Sequence, residues 1–130
     1  MLLLPETMMN NSGNAVAKFI TSKKKAENLV VVHDDLDLPL GRFKISFARG
    51  SGGHKGVESV IRKIKTDAFI RIRAGICPKK KPDGKDLLKL LLGKFDEKET
   101  PIFKKTSKKI IPALETIVSR GLEKAMSEFN

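Results

Sequence analysis

Residues 30–56, VVVHDDLDLPLGRFKISFARGSGGHKG, restrict the possible folds of this chain more than any other stretch. Leu29, Val30, Val31 and Val32 make an apolar run that passes directly into His33, Asp34 and Asp35. Such a run predicts a strand buried along its length, with its end opening on a polar cleft where open α/β sheets place their chemistry. Asp34 is therefore the first candidate for a catalytic group. Further on, Gly50, Gly52, Gly53 and Gly56 surround Ser51, His54 and Lys55. Val57, Val60, Ile61 and Ile64 follow at i, i+3, i+4 and i+7, so an amphipathic helix is predicted to begin directly after the glycines. A glycine turn leading into a helix suits an anion such as phosphate, and it equally suits a turn that holds nothing.

The flanking segments supply further elements. Residues 1–4, MLLL, run into Pro5 like the exit of a strand with no lead-in, and a helix is predicted to start near Ser12 with Ala15, Val16, Phe19 and Ile20 inward. Lys23, Lys24 and Lys25 read as its solvated end. A turn at residues 38–41 precedes a strand that places Phe43, Ile45 and Phe47 on one face and Arg42, Lys44 and Ser46 on the other. Residues 69–76 repeat the alternation, with Ile70, Ile72, Ala74 and Ile76 inward and Arg71 and Arg73 outward. Residues 78–85 read as a basic loop containing Lys79, Lys80 and Lys81, and residues 87–92 as a strand ended by Gly93. Asp96 or Thr100, with Pro101, opens a last long helix that Pro112 is expected to kink or interrupt. Gly121 then breaks it ahead of a short amphipathic helix carrying Leu122, Ala125, Met126 and Phe129.

A chain of 130 residues is expected to form a single domain spanning residues 1–130. Its 26 Lys and Arg against 15 Asp and Glu give a net charge of +11, which makes nucleic acid the leading partner class and an anionic membrane the runner-up. The single cysteine, Cys77, excludes an internal disulfide, fits a reducing compartment, and reads as a small buried hydrophobe. No apolar run approaches the roughly 20 residues of a spanning helix, so a soluble, cytoplasmic protein without membrane association is expected.

Three blocks carry a more specific signal: LPETMMNNSG at residues 4–13, HDDLDLPLG at 33–41 and GSGGHKG at 50–56. In this order and spacing they resemble the bacterial-type peptidyl-tRNA hydrolases, and the likeness extends over essentially the whole chain. The resemblance implies an α/β fold, a mixed and mostly parallel sheet flanked by helices, and hydrolysis of the ester between a peptide and the 3′ ribose of tRNA. It implies no cofactor and no metal, tRNA as partner, and a monomer. Carried over by position, Asp34 orients a general-base histidine and Asn10 positions substrate and water. Met9 walls the peptide site, His54 and Lys55 adjoin the substrate, and Lys44, Arg71 and Arg73 meet the tRNA backbone, with the loop lysines Lys79 to Lys81 as weaker contacts.

Two departures stand out. The family begins with a strand, a Gly-Leu-Gly-Asn-Pro-Gly turn and the catalytic histidine, none of which is present in these residues, so an N-terminally truncated member is expected. His33 and His54 occupy positions that accompany that base and do not replace it. Lys55 stands where the family usually has asparagine, exchanging a donor and acceptor for a donor alone. An alternative is a non-catalytic RNA-binding relative of the kind that assists splicing. A nucleotide phosphate site is a third, weakened by the lack of a Gly-Lys-Ser/Thr ending.

Overall fold

The computed structural model describes residues 1–80 and 82–130, so the expectation placed on Lys81 lies outside the described residues. The elements are a 3-10 turn at Met9–Asn11, then α1 (Ser12–Ala17), α2 (Lys23–Ala26), β1 (Val30–Pro39), β2 (Phe43–Phe47), α3 (Lys55–Ile64), β3 (Ile70–Cys77), α4 (Gly84–Leu92), α5 (Glu99–Arg120) and α6 (Leu122–Phe129). The strands are ordered β1-β3-β2 in one sheet. Ile70 N–H donates to the Leu29 carbonyl and Leu40 N–H to the Cys77 carbonyl, so β1 and β3 are parallel. Ala48 N–H donates to Phe69 and Gly75 N–H to Arg42, so β2 and β3 are antiparallel. The fold is therefore α/β with a mixed sheet flanked by helices, as the sequence suggested.

Two compact units divide the described chain, residues 1–31 with 46–71 and residues 32–45 with 72–130. In the first, Val16, Val57, Val60 and Phe69 form a core, with Leu3, Ile20, Leu29, Val31, Ile61 and Ile64 packed against it. The helix expected after the glycines is α3, and its i, i+3, i+4, i+7 set faces this core. Helix α1 approaches it without side-chain clearance at Gly13. The Gly13 N–H donates to Ser59 Oγ at 3.0 Å, and a Cβ at Gly13 would collide with the Ser59 carbonyl.

In the second unit, Thr106, Ile110, Ala113 and Ile117 recur along the buried side of α5, and Ala125 of α6 is fully buried. The outer edge of β2 is closed by a side chain. Ile45 N–H donates to Asn130 Oδ1 at 2.8 Å, and Asn130 Nδ2 donates back to the Ile45 carbonyl at 2.9 Å. Phe129, next along the chain, sits 6.3 Å from Phe43 between ring centroids.

Several expectations are corrected. Residues 87–92 belong to helix α4. Leucine and lysine are helix formers, and the run has no β-branched residue to favour a strand. Strand β1 does not end at the carboxylates but continues to Pro39, held by Leu40 bonding to Cys77. Nor is it buried throughout, since Val32 is 49% exposed on a strand at one end of the sheet order. On β2, Ser46 is buried and Phe47 exposed, the reverse of simple alternation. Lys23, Lys24 and Lys25 form their own short helix, capped where Ser22 Oγ accepts the Lys25 N–H at 3.2 Å. Cys77 is half-buried at the end of β3. Pro112 does not interrupt α5; the bond it cannot make to Lys108 is outweighed by burial of Ile110, Ala113 and Ile117 around it. The boundary expected at Gly121 is present, with φ of 90° separating α5 from α6, and Asp96 Oδ1 accepts the Glu99 N–H at 2.7 Å to open α5.

Candidate functional site

The candidate residues fall in two groups, one in each unit. In the first unit, the 3-10 turn at Met9–Asn11 is tied by Asn11 N–H to the Met8 carbonyl at 2.8 Å and Ser12 Oγ to the Met9 carbonyl at 2.7 Å. Met9 and Asn10 are both exposed on it. The turn meets the N-terminus of α3 at Gly56. A Cβ there would stand 3.0 Å from both Met9 Cγ and His54 Cε1, so three positions from two sequence blocks converge in a tight contact that the absence of a side chain at Gly56 relieves.

The glycine turn has specific internal bonding. Gly52 and Gly53 take φ of 61° and 85°, which favours glycine, and Gly53 N–H donates to Ser51 Oγ at 3.2 Å. His54 caps α3, its Nδ1 accepting the Val57 N–H at 3.2 Å. A neutral imidazole that accepts at Nδ1 carries its proton at Nε2, which makes Nε2 a donor. Lys55 is 69% exposed and its Nζ lies 3.3 Å from the Glu58 carboxylate one turn along.

In the second unit, β1 places Asp34 and Asp35 on opposite faces. Asp35 accepts from Arg73 Nε at 2.5 Å and from the Asp37 N–H at 2.7 Å, joining β1 to β3. Burial pushes the Asp35 carboxyl up, but the Arg73 and Asp37 hydrogen bonds and the charges of Arg73 and His33 outweigh it, leaving the group below its ordinary value. Beside it, His33 Nδ1–H donates to the Asp34 carbonyl at 2.7 Å, and His33 Nε2 is buried. Asp34 itself is half-buried.

The three backbone-contact candidates differ sharply. Lys44 is exposed, Arg73 is paired with Asp35, and Arg71 retains only 4% exposure. The outward basic face expected for β3 is thus drawn into the protein at both of its arginines. Lys79 and Lys80 are exposed. The Asp35–Arg73 pair was not recognised from sequence. Its signal was opposite charges on two strands expected in one sheet. Among the described residues no cluster of His, Cys, Asp or Glu could hold a metal, and no helix is long and apolar enough to cross a membrane.

Comparison with known proteins decides the lineage: a family model described as peptidyl-tRNA hydrolase matches residues 1–130. The chain belongs to the peptidyl-tRNA hydrolase family. It is 42% identical over 130 residues to the peptidyl-tRNA hydrolase of Pseudothermotoga lettingae, covering 99% of this chain and 68% of that protein. The peptidyl-tRNA hydrolase of Thermoanaerobacter sp. is 41% identical, with the same shares covered. Among solved structures, the crystal structure of peptidyl-tRNA hydrolase from Acinetobacter baumannii superposes with a TM-score of 0.87 at 29% identity, over 99% of this chain and 65% of that one. The chain thus spans about two thirds of the length of these relatives.

Proposed function

We propose that this chain serves peptidyl-tRNA hydrolysis, cleaving the ester between a peptide and the 3′ ribose of tRNA so that the tRNA is recycled. The observation that carries this reading is the family match along all 130 residues. Asp34 orients a general-base histidine, fixing its tautomer and stabilising the imidazolium as water is deprotonated. Asn10 presents an amide to substrate and water, Met9 lines the peptide path, and His54 and Lys55 flank it. Neither histidine of the chain fits the base. His54 Nδ1 is taken up as the cap of α3, and His33 Nε2 is buried, which weighs against either ring as the base. Lys44 contacts tRNA phosphate, while Arg71 and Arg73 contribute mainly by organising β3. No cofactor takes part, the protein acts as a monomer, and its place of action is the cytoplasm where peptidyl-tRNA arises.

The test is release of an N-blocked amino acid from its tRNA by the 130-residue chain, with tRNA binding followed at two salt concentrations. Salt-sensitive binding is expected, with ester release that rises when free imidazole supplies the base and falls in Asp34→Asn. Absence of tRNA binding would overturn the proposal. Binding with no release under imidazole would favour a non-catalytic RNA-binding relative.

A further inference from the structure

Helix α5 carries a charge pattern that none of the assigned roles uses. Lys104, Lys105, Lys108 and Lys109 are all exposed, and between Glu99 and Glu115 the helix has no carboxylate. Its buried positions are Thr106, Ile110, Ala113 and Ile117. At about 100° per residue, Lys104 and Lys108 lie nearly opposite that face, and Lys105 and Lys109 continue from them around one side of the helix towards it. Among the described residues, none of the four forms an ion pair.

Solvation alone does not explain this arrangement. A surface helix kept soluble by charge intersperses both signs, and opposite charges at i and i+4 add stability. Here Lys104 and Lys108, Lys105 and Lys109, and Lys105 and Lys108 set like charges at i+4 or i+3, which disfavours the helix in isolation. A ligand bearing regularly spaced negative charge relieves that repulsion. Lysines one turn apart are separated by about 6 Å along the axis, suited to successive phosphates of one RNA strand.

We infer that the Lys104, Lys105, Lys108 and Lys109 face of α5 is a second nucleic-acid contact, docking on the sugar-phosphate backbone of an RNA duplex. The inference rests on the tRNA reading above and adds a surface remote in sequence from Lys44. Because it contacts phosphate only, it supplies affinity and orientation without base preference. Each lysine that replaces a counterion steepens the dependence of binding on salt.

The experiment compares the unaltered chain with a Lys104→Gln, Lys105→Gln, Lys108→Gln, Lys109→Gln variant. The probes are whole tRNA, an acceptor-stem RNA hairpin and phosphatidylglycerol vesicles. A control variant with Lys18→Gln, Lys23→Gln, Lys24→Gln and Lys25→Gln removes the same charge from the other unit. The α5 variant is expected to lose roughly 10- to 100-fold in affinity for tRNA and hairpin at moderate salt, with the log–log salt slope shallower by about 2 to 3. The control should change far less. The Lys104→Gln, Lys108→Gln pair alone should give about half the change in slope, and circular dichroism should show the same helix content throughout. Equal losses in the α5 and control variants would overturn the inference while leaving tRNA binding intact. So would unchanged RNA binding accompanied by lost vesicle binding, which would make the face a membrane contact. No tRNA binding by the unaltered chain would instead overturn the functional reading beneath it.

Discussion

Arg73 Nε donates to the Asp35 carboxylate at 2.5 Å across neighbouring strands, and both side chains are largely withdrawn from solvent, at 22% and 13% exposure. The arginine is thereby committed to its own sheet. Removing one partner leaves the other charge partly buried and uncompensated, so Asp35→Asn should lower stability by about 1–3 kcal/mol in urea denaturation. The same pair sets an acid limit. Because the folded Asp35 sits below its ordinary carboxylate value of 3.8, its contribution is complete above that pH and is lost as pH falls through the folded value. The unaltered protein should therefore lose stability more steeply than Asp35→Asn below about pH 4. Parallel pH profiles for the two would remove the pair from the account.

Gly13 offers a steric test of the first unit. Gly13→Ala forces a methyl group onto the Ser59 carbonyl and moves the amide that bonds Ser59 Oγ. Overpacking of this kind should destabilise by about 1–3 kcal/mol or more. Gly50→Ala, where a Cβ would meet nothing within 4 Å, should stay within about 0.5 kcal/mol of the unaltered protein. Similar melting temperatures for both variants would contradict the close helix approach.

Asn130→Ala strips both partners from the Ile45 backbone. A cost of about 1–3 kcal/mol is expected, with faster hydrogen exchange at the Ile45 amide. Asn130→Asp keeps an acceptor for the Ile45 N–H but turns a carboxylate oxygen towards the Ile45 carbonyl, and should recover only part of the loss. Unaltered exchange at Ile45 in Asn130→Ala would show that the edge is closed by something else.

The basic residues should separate by burial. Lys44→Gln is expected to reduce the salt slope of tRNA binding by about 1 with little change in stability. Arg71→Gln should do the opposite, lowering the unfolding midpoint and leaving the slope alone, because the side chain is buried. A slope change in Arg71→Gln without loss of stability would restore it as a phosphate contact.

Under the proposed function, Asp34→Asn should depress imidazole-supported turnover by roughly 100-fold or more while tRNA affinity is little changed, since orientation of the base matters mainly in the transition state. Parallel losses of turnover and affinity, read from single-turnover kinetics and binding, would show that Asp34 only supports the fold.

What could be read from the sequence were features encoded within one local period. The i, i+3, i+4, i+7 pattern from Val57 to Ile64 gave α3, and the glycines ahead of it gave the turn that His54 caps. The α/β class and the family followed from three short blocks. Long-range features were not legible. Arg71 and Arg73 alternate with apolar residues as a solvent-facing pair would, yet one is buried and the other is claimed by Asp35, a carboxylate 38 residues earlier. Local pattern separates the two faces of a strand without saying what covers each. Residues 87–92 differ for another reason: six residues, five Leu and Lys89, are too few for their period to choose, and only their composition, helix formers without a β-branched residue, points to a helix.

The clamp on Ile45 also has a timetable. Its partner lies 85 residues later, so the outward N–H and C=O of β2 wait for nearly two thirds of the chain to follow. At about 5–20 residues per second, that interval lasts on the order of 4 to 17 seconds of synthesis. A β2 edge left without its clamp, with Phe43 and Phe47 at the two ends of the strand, is the kind of edge that recruits a neighbouring chain. Asn130 acts as a late lock, and crowded polysomes making this protein are where its absence would be felt first, as aggregation during translation.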